Sequence, residues 1–167
     1  WLEVEVRRDG QVHHQRYEQG HPVTKLETIG RSKNTGTKVT FLPDNTIFST
    51  SEFEWDILAT RLRELAFLNK GIEILLSEET SERTETFKFE GGIIEFVSHL
   101  NRNKQSLWDK IFSVEKERDD VVVEIALQYT DAYNETLLSF CNNINTIEGG
   151  THLSGFRSAL TRSVNTY

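Results

Sequence analysis

The chain has 167 residues, of which 37% are hydrophobic, and it carries a formal net charge of −7 at neutral pH. This length and apolar content are enough for one domain or two small ones, and no apolar run is long enough to cross a membrane. The acidic balance argues against a domain whose main surface binds nucleic-acid phosphates, since such a surface needs clustered Lys and Arg. The single cysteine, Cys141, excludes an internal disulfide and favours a cytoplasmic location.

The first 50 residues read as strands. Leu2, Val4 and Val6 alternate with charged residues, as in a strand with one buried face. An Asp-Gly pair follows, and residues 11–18 can return as the partner strand of a hairpin. We predict a loop over residues 20–30 and another strand in "TGTKVTFLP", which ends at Pro43.

The middle of the chain predicts a helix, a hairpin and a second helix. Residues 53–68 carry large apolar side chains at helical spacing, and these should face a core: Ile57, Leu58, Leu62, Leu65 and Leu68. Residues 71–79 and 82–90 again alternate and predict a second hairpin. A short helix then opens at Gly91-Gly92 and ends near Asn101.

The last third predicts three strands and a final helix. The strand candidates are residues 111–117, 120–130 and 135–143. The final helix follows Gly149-Gly150, with Thr151 as its N-cap. Strands interrupted by a few long helices predict the α+β class with mostly antiparallel pairing. The charged stretch over residues 78–86 predicts the boundary between two structural units.

Three groups of residues invite a chemical reading, and in each the structural reading is favoured. His13, His14 and His21 are close in sequence, but adjacent residues on a strand face opposite sides, so we predict no metal site. Cys141 lies on a strand pattern without a base beside it, which favours a buried structural thiol. The segment "GRSKNTGTKV" lacks the Walker spacing and leads into a strand, so a surface loop is favoured over a phosphate loop.

The segment "EGGTHLSGFR" is more distinctive. Its two glycines permit positive φ or a close backbone approach, and His152 would lie in the first turn of the helix, where backbone amides are unpaired. A well-capped helix explains the pattern, and a docking point for a ligand or a neighbouring domain remains the alternative.

Several long motifs resemble the B subunits of bacterial type IIA DNA topoisomerases, DNA gyrase above all. In chain order they are "GQVHHQRYEQG", "TGTKVTFLPD", "FEWDILATRLRELAFLNKGIEI", "FEGGIIEFVSHLN", "VEIALQYTDAYNETLLSFCNNI" and "IEGGTHLSGFRSALTR". The resemblance covers essentially the whole chain. It implies the C-terminal part of a gyrase-type (GHKL) ATPase α/β sandwich over residues 1–82. Part of a transducer domain with a left-handed βαβ-type fold follows over residues 83–167.

The resemblance implies an ATP-dependent enzyme. The family couples ATP hydrolysis to DNA strand passage and supercoiling, with ATP and Mg²⁺ as cofactors. The gyrase A protein, DNA and a second copy of gyrase B are its partners, aminocoumarins are its inhibitors, and its location is cytoplasmic and nucleoid-associated. The alternatives are the corresponding B protein of topoisomerase IV and a catalytically empty interaction module.

The resemblance also implies the functional residues. Thr37 and Val39 match family positions that contact ATP near the adenine, and Arg8 matches a pocket-rim arginine that aminocoumarins contact. The family's general-base glutamate, magnesium-binding asparagine, glycine lid and transducer lysine have no counterpart in the chain. We therefore expect an excised piece with no catalytic residue and no metal ligand of its own, which does not hydrolyse ATP alone.

Overall fold

The computed structural model describes residues 1–167 and is of the mixed α+β class, as predicted. All of its strand pairs are antiparallel. In chain order the elements are β1 (Leu2–Arg8), β2 (Gln11–Glu18), β3 (His21–Pro22), β4 (Glu27–Arg31), β5 (Gly36–Phe41), α1 (Trp55–Leu68), β6 (Glu73–Glu78), β7 (Arg83–Lys88), α2 (Gly92–Asn101), β8 (Phe112–Arg118), β9 (Val121–Leu127), β10 (Phe140–Cys141), β11 (Ile144–Asn145) and α3 (Thr151–Thr166).

The chain divides into two compact units, Trp1–Glu54 and Trp55–Tyr167. The division lies ahead of α1 because this helix packs on the β6–β7 hairpin, so that both belong to the second unit. The boundary between residues 82 and 83 is the one that the family resemblance implies between the ATPase and transducer parts. It stays a prediction.

The first unit is built on one antiparallel sheet with β1 at its centre. β1 pairs with β2 on one side and with β5 on the other, and the far edge of β2 pairs with β3 and β4. β3 and β4 correct the sequence analysis, which expected a loop over residues 20–30. Their residues show no alternation, and they extend because the free backbone edge of β2 offers hydrogen-bonding partners.

Tight two-residue turns set the register of the hairpins. Asp9 and Gly10 join β1 to β2 with φ values of 52° and 78°, a turn that needs left-handed backbone at both positions. Asp119 and Asp120 join β8 to β9, and Asn142 and Asn143 join β10 to β11, again with positive φ at both residues. Asp and Asn tolerate this conformation better than other side chains, so the local sequence fixes which residues pair.

The core of the second unit lies between α1, α2 and the β6–β7 hairpin. Its buried side chains are Ala59, Ala66, Phe67, Phe87 and Phe96. The Phe67 ring stacks on Phe89 at 3.6 Å and on Phe96 at 4.7 Å between centroids. Leu62, Ile74 and Leu76 pack against the buried residues, so the core combines stacked aromatic rings with aliphatic side chains.

The buried face of α1 agrees with the prediction except at Ile57. Leu58, Leu62, Leu65 and Leu68 are half-buried, and Leu62 packs against the core. Ala59, Ala66 and Phe67 are buried, whereas Ile57 is exposed. Alanines let the helix approach the hairpin closely, so the small side chains face the core and the larger Ile57 lies on the outer side. The predicted helix itself is confirmed, and so are the β6–β7 hairpin and α2.

The last 40 residues contain less regular structure than predicted. The strand expected over residues 135–143 is reduced to β10, which pairs with the two-residue β11. α3 begins at Thr151 with Gly150 as N-cap and without a side-chain cap, so the assignment of Thr151 as N-cap is wrong. Gly150 lies at φ 155°, a backbone conformation that disfavours a threonine in that place. None of the three helices is both long and apolar enough to cross a membrane.

Candidate functional site

The predicted ATP contacts lie on one face of the sheet in the first unit, here called the Val39 face. In the pairing of β1 with β5, Val6 lies opposite Thr37 and Val4 lies opposite Val39. In the pairing of β1 with β2, Val6 lies opposite His13 and Val4 lies opposite Gln15. By strand alternation, the residues of β1, β2 and β5 on the Val39 face are Leu2, Val4, Val6, Arg8, Gln11, His13, Gln15, Tyr17, Thr37, Val39 and Phe41.

The Val39 face combines apolar and hydrogen-bonding side chains. Its centre is apolar, with Val4 beside Val39, while the Thr37 hydroxyl supplies a hydrogen-bond donor and acceptor one row away. Val39 is 52% exposed, so its side chain is available for contact. None of these eleven residues is Asp or Glu. The face can therefore hold and orient a ligand but offers no carboxylate for proton transfer or for a metal ion.

Arg8 lies at the end of this face, next to the hairpin turn. Its guanidinium Nε is 3.6 Å from Asp9 Oδ2, and its side chain is 77% exposed. An exposed pair of this kind holds the arginine only loosely. Its planar group is free to stack on a ligand or donate hydrogen bonds to one at the rim.

The three histidines of the first unit do not come together as a metal site. His13 and His14 face opposite sides of β2, where His13 lies opposite Val6 and His14 opposite Glu5. His13 Nδ1 is 3.3 Å from the Thr28 hydroxyl. His21 belongs to the short strand β3, where it lies opposite Glu18 of β2. No three His, Cys, Asp or Glu side chains of the chain are grouped as metal ligands.

Cys141 is exposed, which corrects its assignment as a buried thiol. β10 has only two residues, and no other element covers this side chain.

In the loop before β5, the Ser32 hydroxyl donates to Asn34 O, and Ser32 N donates to Gly10 O. That loop leads into a strand, as predicted.

His152 in the "EGGTH" segment joins α3 to the β10–β11 hairpin. Its Nε2 lies 2.7 Å from Ser139 Oγ and 3.3 Å from Thr146 Oγ1. Thr146 also donates its hydroxyl to Ser139 O at 3.0 Å. The two glycines therefore precede a residue whose ring fixes the start of the helix, in line with the structural reading of this segment.

A polar cluster that the sequence analysis missed ties α1 to the same hairpin. Arg61 Nη2 donates to Asn143 O at 2.7 Å, and Arg61 Nη1 lies 3.0 Å from Glu64 Oε2. Asn143 Nδ2 donates to Asn69 Oδ1 at 2.9 Å, and Asn69 Nδ2 donates to Leu65 O. Asn143 is 74 residues from Asn69 and 82 residues from Arg61 in the sequence. No local sequence pattern could therefore indicate these contacts.

The chain is similar to known proteins of one family. Residues 92–167 match the family model described as DNA gyrase B. The DNA gyrase B protein of Thermotoga maritima is 50% identical over 174 residues, which cover 100% of this chain and 27% of that protein. The DNA gyrase B protein of Clostridium acetobutylicum is 52% identical over 166 residues, covering 99% of this chain and 26% of that protein.

A solved gyrase B structure has a similar fold. The 43K ATPase domain of Thermus thermophilus gyrase B, solved in complex with an aminocoumarin, superposes with a TM-score of 0.85 at 34% identity. The match covers 100% of this chain and 46% of that one. The chain thus spans about a quarter of the length of the curated relatives it matches. The relatives are gyrases, which favours gyrase over topoisomerase IV.

Proposed function

Because the chain belongs to the DNA gyrase B family, we propose that it forms part of the ATP-binding and transducer region of an ATP-dependent type II DNA topoisomerase. The observation that carries the proposal is the match of this whole chain to part of gyrase B sequences, together with the fold that it shares with part of a gyrase B ATPase domain. In this role the chain couples ATP hydrolysis to DNA strand passage and supercoiling.

The Val39 face is the proposed nucleotide-contacting part of the chain. Val39 and Val4 form an apolar wall for the adenine, and the Thr37 hydroxyl hydrogen-bonds to the adenine region directly or through water. Bound ATP with Mg²⁺ supplies the phosphoanhydride bond that is hydrolysed. The residues of this face fit the base of a nucleotide and not its metal, because the face carries no carboxylate.

Arg8 is proposed as the rim residue for aminocoumarin inhibitors. Its exposed position at the end of the Val39 face supports this role. The gyrase B of Thermus thermophilus was solved with an aminocoumarin, which makes the inhibitor class a direct probe of the proposal.

The remaining family properties are also proposed for this chain. They are a domain boundary between residues 82 and 83, the gyrase A protein and DNA as partners, and a gyrase B homodimer formed on ATP binding. A cytoplasmic location at the nucleoid follows from DNA as the substrate.

The 167-residue chain is proposed to be inactive by itself. ATP hydrolysis needs a base or a positioned polar group that orients the attacking water, and a metal ion held beside the phosphates. The Val39 face supplies neither. A coupled phosphate-release assay on the purified chain should detect no magnesium-dependent turnover, and turnover near that of a complete gyrase B protein would contradict the proposal.

A chimera tests the function. This chain replaces the matching 166 residues of the Clostridium acetobutylicum gyrase B protein, and the chimera is combined with the gyrase A protein of the same organism. We expect ATP-dependent supercoiling of relaxed plasmid within about tenfold of the native rate, since most contacts at this identity are conserved in kind. A folded chimera without supercoiling would instead identify the chain as a catalytically empty module.

A further inference from the structure

The first unit contains a small aromatic pocket beyond the end of β5. Its apolar walls are Phe41, Pro43, Phe48 and Phe53, and its volume is about 280 Å³. Phe41 and Phe53 meet edge to face, with centroids 6.0 Å apart at 85°. This volume is at the lower end of the range for ligand pockets, so it suits one aromatic ring with a short substituent.

The loop that carries Phe48 is held in place by its own hydrogen bonds. Asp44 O accepts from Ile47 N and Phe48 N at 3.0 and 2.9 Å. Asp44 Oδ1 accepts from Thr46 N at 2.8 Å, and Asp44 Oδ2 accepts from Gln19 Nε2 at 3.1 Å. The hydroxyl and backbone N–H of Thr46 lower the pKa of Asp44 below its usual value. The pocket wall is therefore anchored to the sheet.

The rings of this pocket remain accessible. Phe41, Phe48 and Phe53 are 53%, 56% and 55% exposed. Phenyl faces carry partial negative charge and attract cations. An aromatic ligand with a positive charge can therefore stack in the pocket and keep its cation near the rim.

The charge at the rim selects the same ligand. Glu52 lines the pocket, and its backbone N–H donates to Thr50 Oγ1 at 3.1 Å. Its carboxylate takes part in no ion pair. Residues 42–54 contain Asp44, Glu52 and Glu54 and no Lys, Arg or His. The Trp1 ammonium donates to Leu42 O at 3.2 Å, and the three carboxylates outnumber this one cation. An anionic ligand such as a nucleotide phosphate is repelled here, and a cation finds an available partner.

We propose that this pocket binds small aromatic ammonium compounds, with the ring between the phenylalanines and the ammonium group at Glu52. The site shares Phe41 with the Val39 face but includes neither Thr37 nor Val39, the two proposed nucleotide contacts. It stands whether or not the chain contacts ATP, because it depends only on residues 41–53 and their contacts within the first unit.

The test is an amide NMR titration of the 167-residue chain with phenethylammonium and, at equal concentration, with the neutral isostere 2-phenylethanol. Saturable shifts confined to residues 41–53 are expected for the cation, with a dissociation constant on the order of 1 mM for so small a ligand. The alcohol should bind about two- to fivefold more weakly. Equal binding of both compounds, no binding, or shifts spread over both units would overturn the proposal.

Matched variants locate the contacts. Glu52→Gln should weaken binding of the cation about two- to fivefold and leave binding of the alcohol unchanged. Glu27→Gln, on the exposed strand β4, is the control and should have no effect. Phe48→Ala removes an exposed ring without touching its backbone hydrogen bond, so it should abolish saturable binding while the amide spectrum stays folded. A Glu52→Gln variant that binds both compounds like the wild type would also overturn the proposal.

Discussion

The sheet of the first unit and the core of the second are held together by different forces. Every residue of the Trp1–Glu54 unit is exposed or only partly buried, so its order comes from backbone pairing of β1 with both neighbours and from tight turns. The buried hydrophobic residues of the chain all lie in the second unit. The apolar side chains of the first unit are therefore open to a ligand or partner, whereas those of the second unit pack against one another.

The difference should appear as unequal local stability. Backbone hydrogen bonds between exposed strands contribute little net free energy, and exposed ladders open easily. The stacked rings around Phe67 should protect the amides of α1 and β7. We therefore expect hydrogen exchange to be faster in β1, β2 and β5 than in the second unit's core.

Truncating the central ring should have the largest effect on this comparison. Phe67 is 1% exposed and stacks on two other rings. Phe67→Ala should lower the free energy of unfolding of the second unit by about 3 to 5 kcal/mol, as measured by urea unfolding. Phe48→Ala, at an exposed ring of the first unit, should cost less than about 1 kcal/mol. Similar costs for the two substitutions would contradict the claim that buried side chains stabilise the second unit and not the first.

Removing the guanidinium that joins α1 to the β10–β11 hairpin should have the next largest effect. Arg61→Leu leaves Asn143 O and the Glu64 carboxylate without a partner, at a cost of about 1 to 3 kcal/mol. Hydrogen exchange should accelerate most at residues 139–146.

A matched control for that substitution is Arg157→Leu. Arg157 forms an ion pair with Glu135 in which both side chains are more than half exposed. The loss of such a pair should cost less than about 1 kcal/mol. Equal effects of the two arginine substitutions would mean that the contact with Asn143 does not stabilise the hairpin.

A pH dependence should distinguish the buried core from the exposed sheet. Burial lowers the pKa of His99, and the nearby Arg102 and Arg63 lower it further. The folded second unit therefore binds this proton less readily than the unfolded chain. The neutral ring contributes its full stability above the unfolded pKa of about 6.5, and this contribution is lost as the pH falls toward the lower folded pKa.

Urea unfolding of the second unit at a series of pH values should show this loss below about pH 6.5. His99→Gln removes the titrating group and should flatten the profile in that range. Because Gln also changes the contact with Phe67, the slope and not the absolute stability is the readout. An unchanged slope would assign the pH dependence to other groups.

Arg8→Ala should have the smallest effect on stability. The side chain is exposed and its only ion pair is with Asp9, so the cost should be within about 0.5 kcal/mol. Aminocoumarin affinity of the chimera should nevertheless fall, as calorimetry can measure. The same substitution at Arg7, an exposed residue on the opposite face of β1, should leave both quantities unchanged. Equal loss of affinity for the two variants would show that Arg8 does not contact the inhibitor.

The comparison also explains what the sequence could and could not predict. The β1–β2 and β6–β7 hairpins and the three helices are predictable because each depends on local signals, such as Asp9-Gly10 at a turn or alternation in β1. The placement of Thr37 and Val39 on one face follows from the same alternation. Their assignment as nucleotide contacts depends on the family resemblance and stays a prediction.

The missed features depend on contacts between distant residues. β4 is a strand only because β2 has a free edge, and Cys141 is exposed because its strand is two residues long. The bonds from Arg61 and Asn69 to Asn143 join segments far apart in the chain. Periodicity describes one element at a time, so it cannot show which elements meet.

The central claim is that the Val39 face, and not the opposite face of β5, contacts the nucleotide. Thr37 and Thr40 lie on opposite faces of the same strand, and both are exposed. The direct measurement is calorimetric titration of the chimera and of its Thr37→Val and Thr40→Val variants with a non-hydrolysable ATP analogue. Thr37→Val should weaken binding by about 1 to 3 kcal/mol, because a polar partner or water is left unpaired, and Thr40→Val should leave affinity within about twofold. Unchanged affinity for Thr37→Val, or equal losses for the two variants, would contradict the claim.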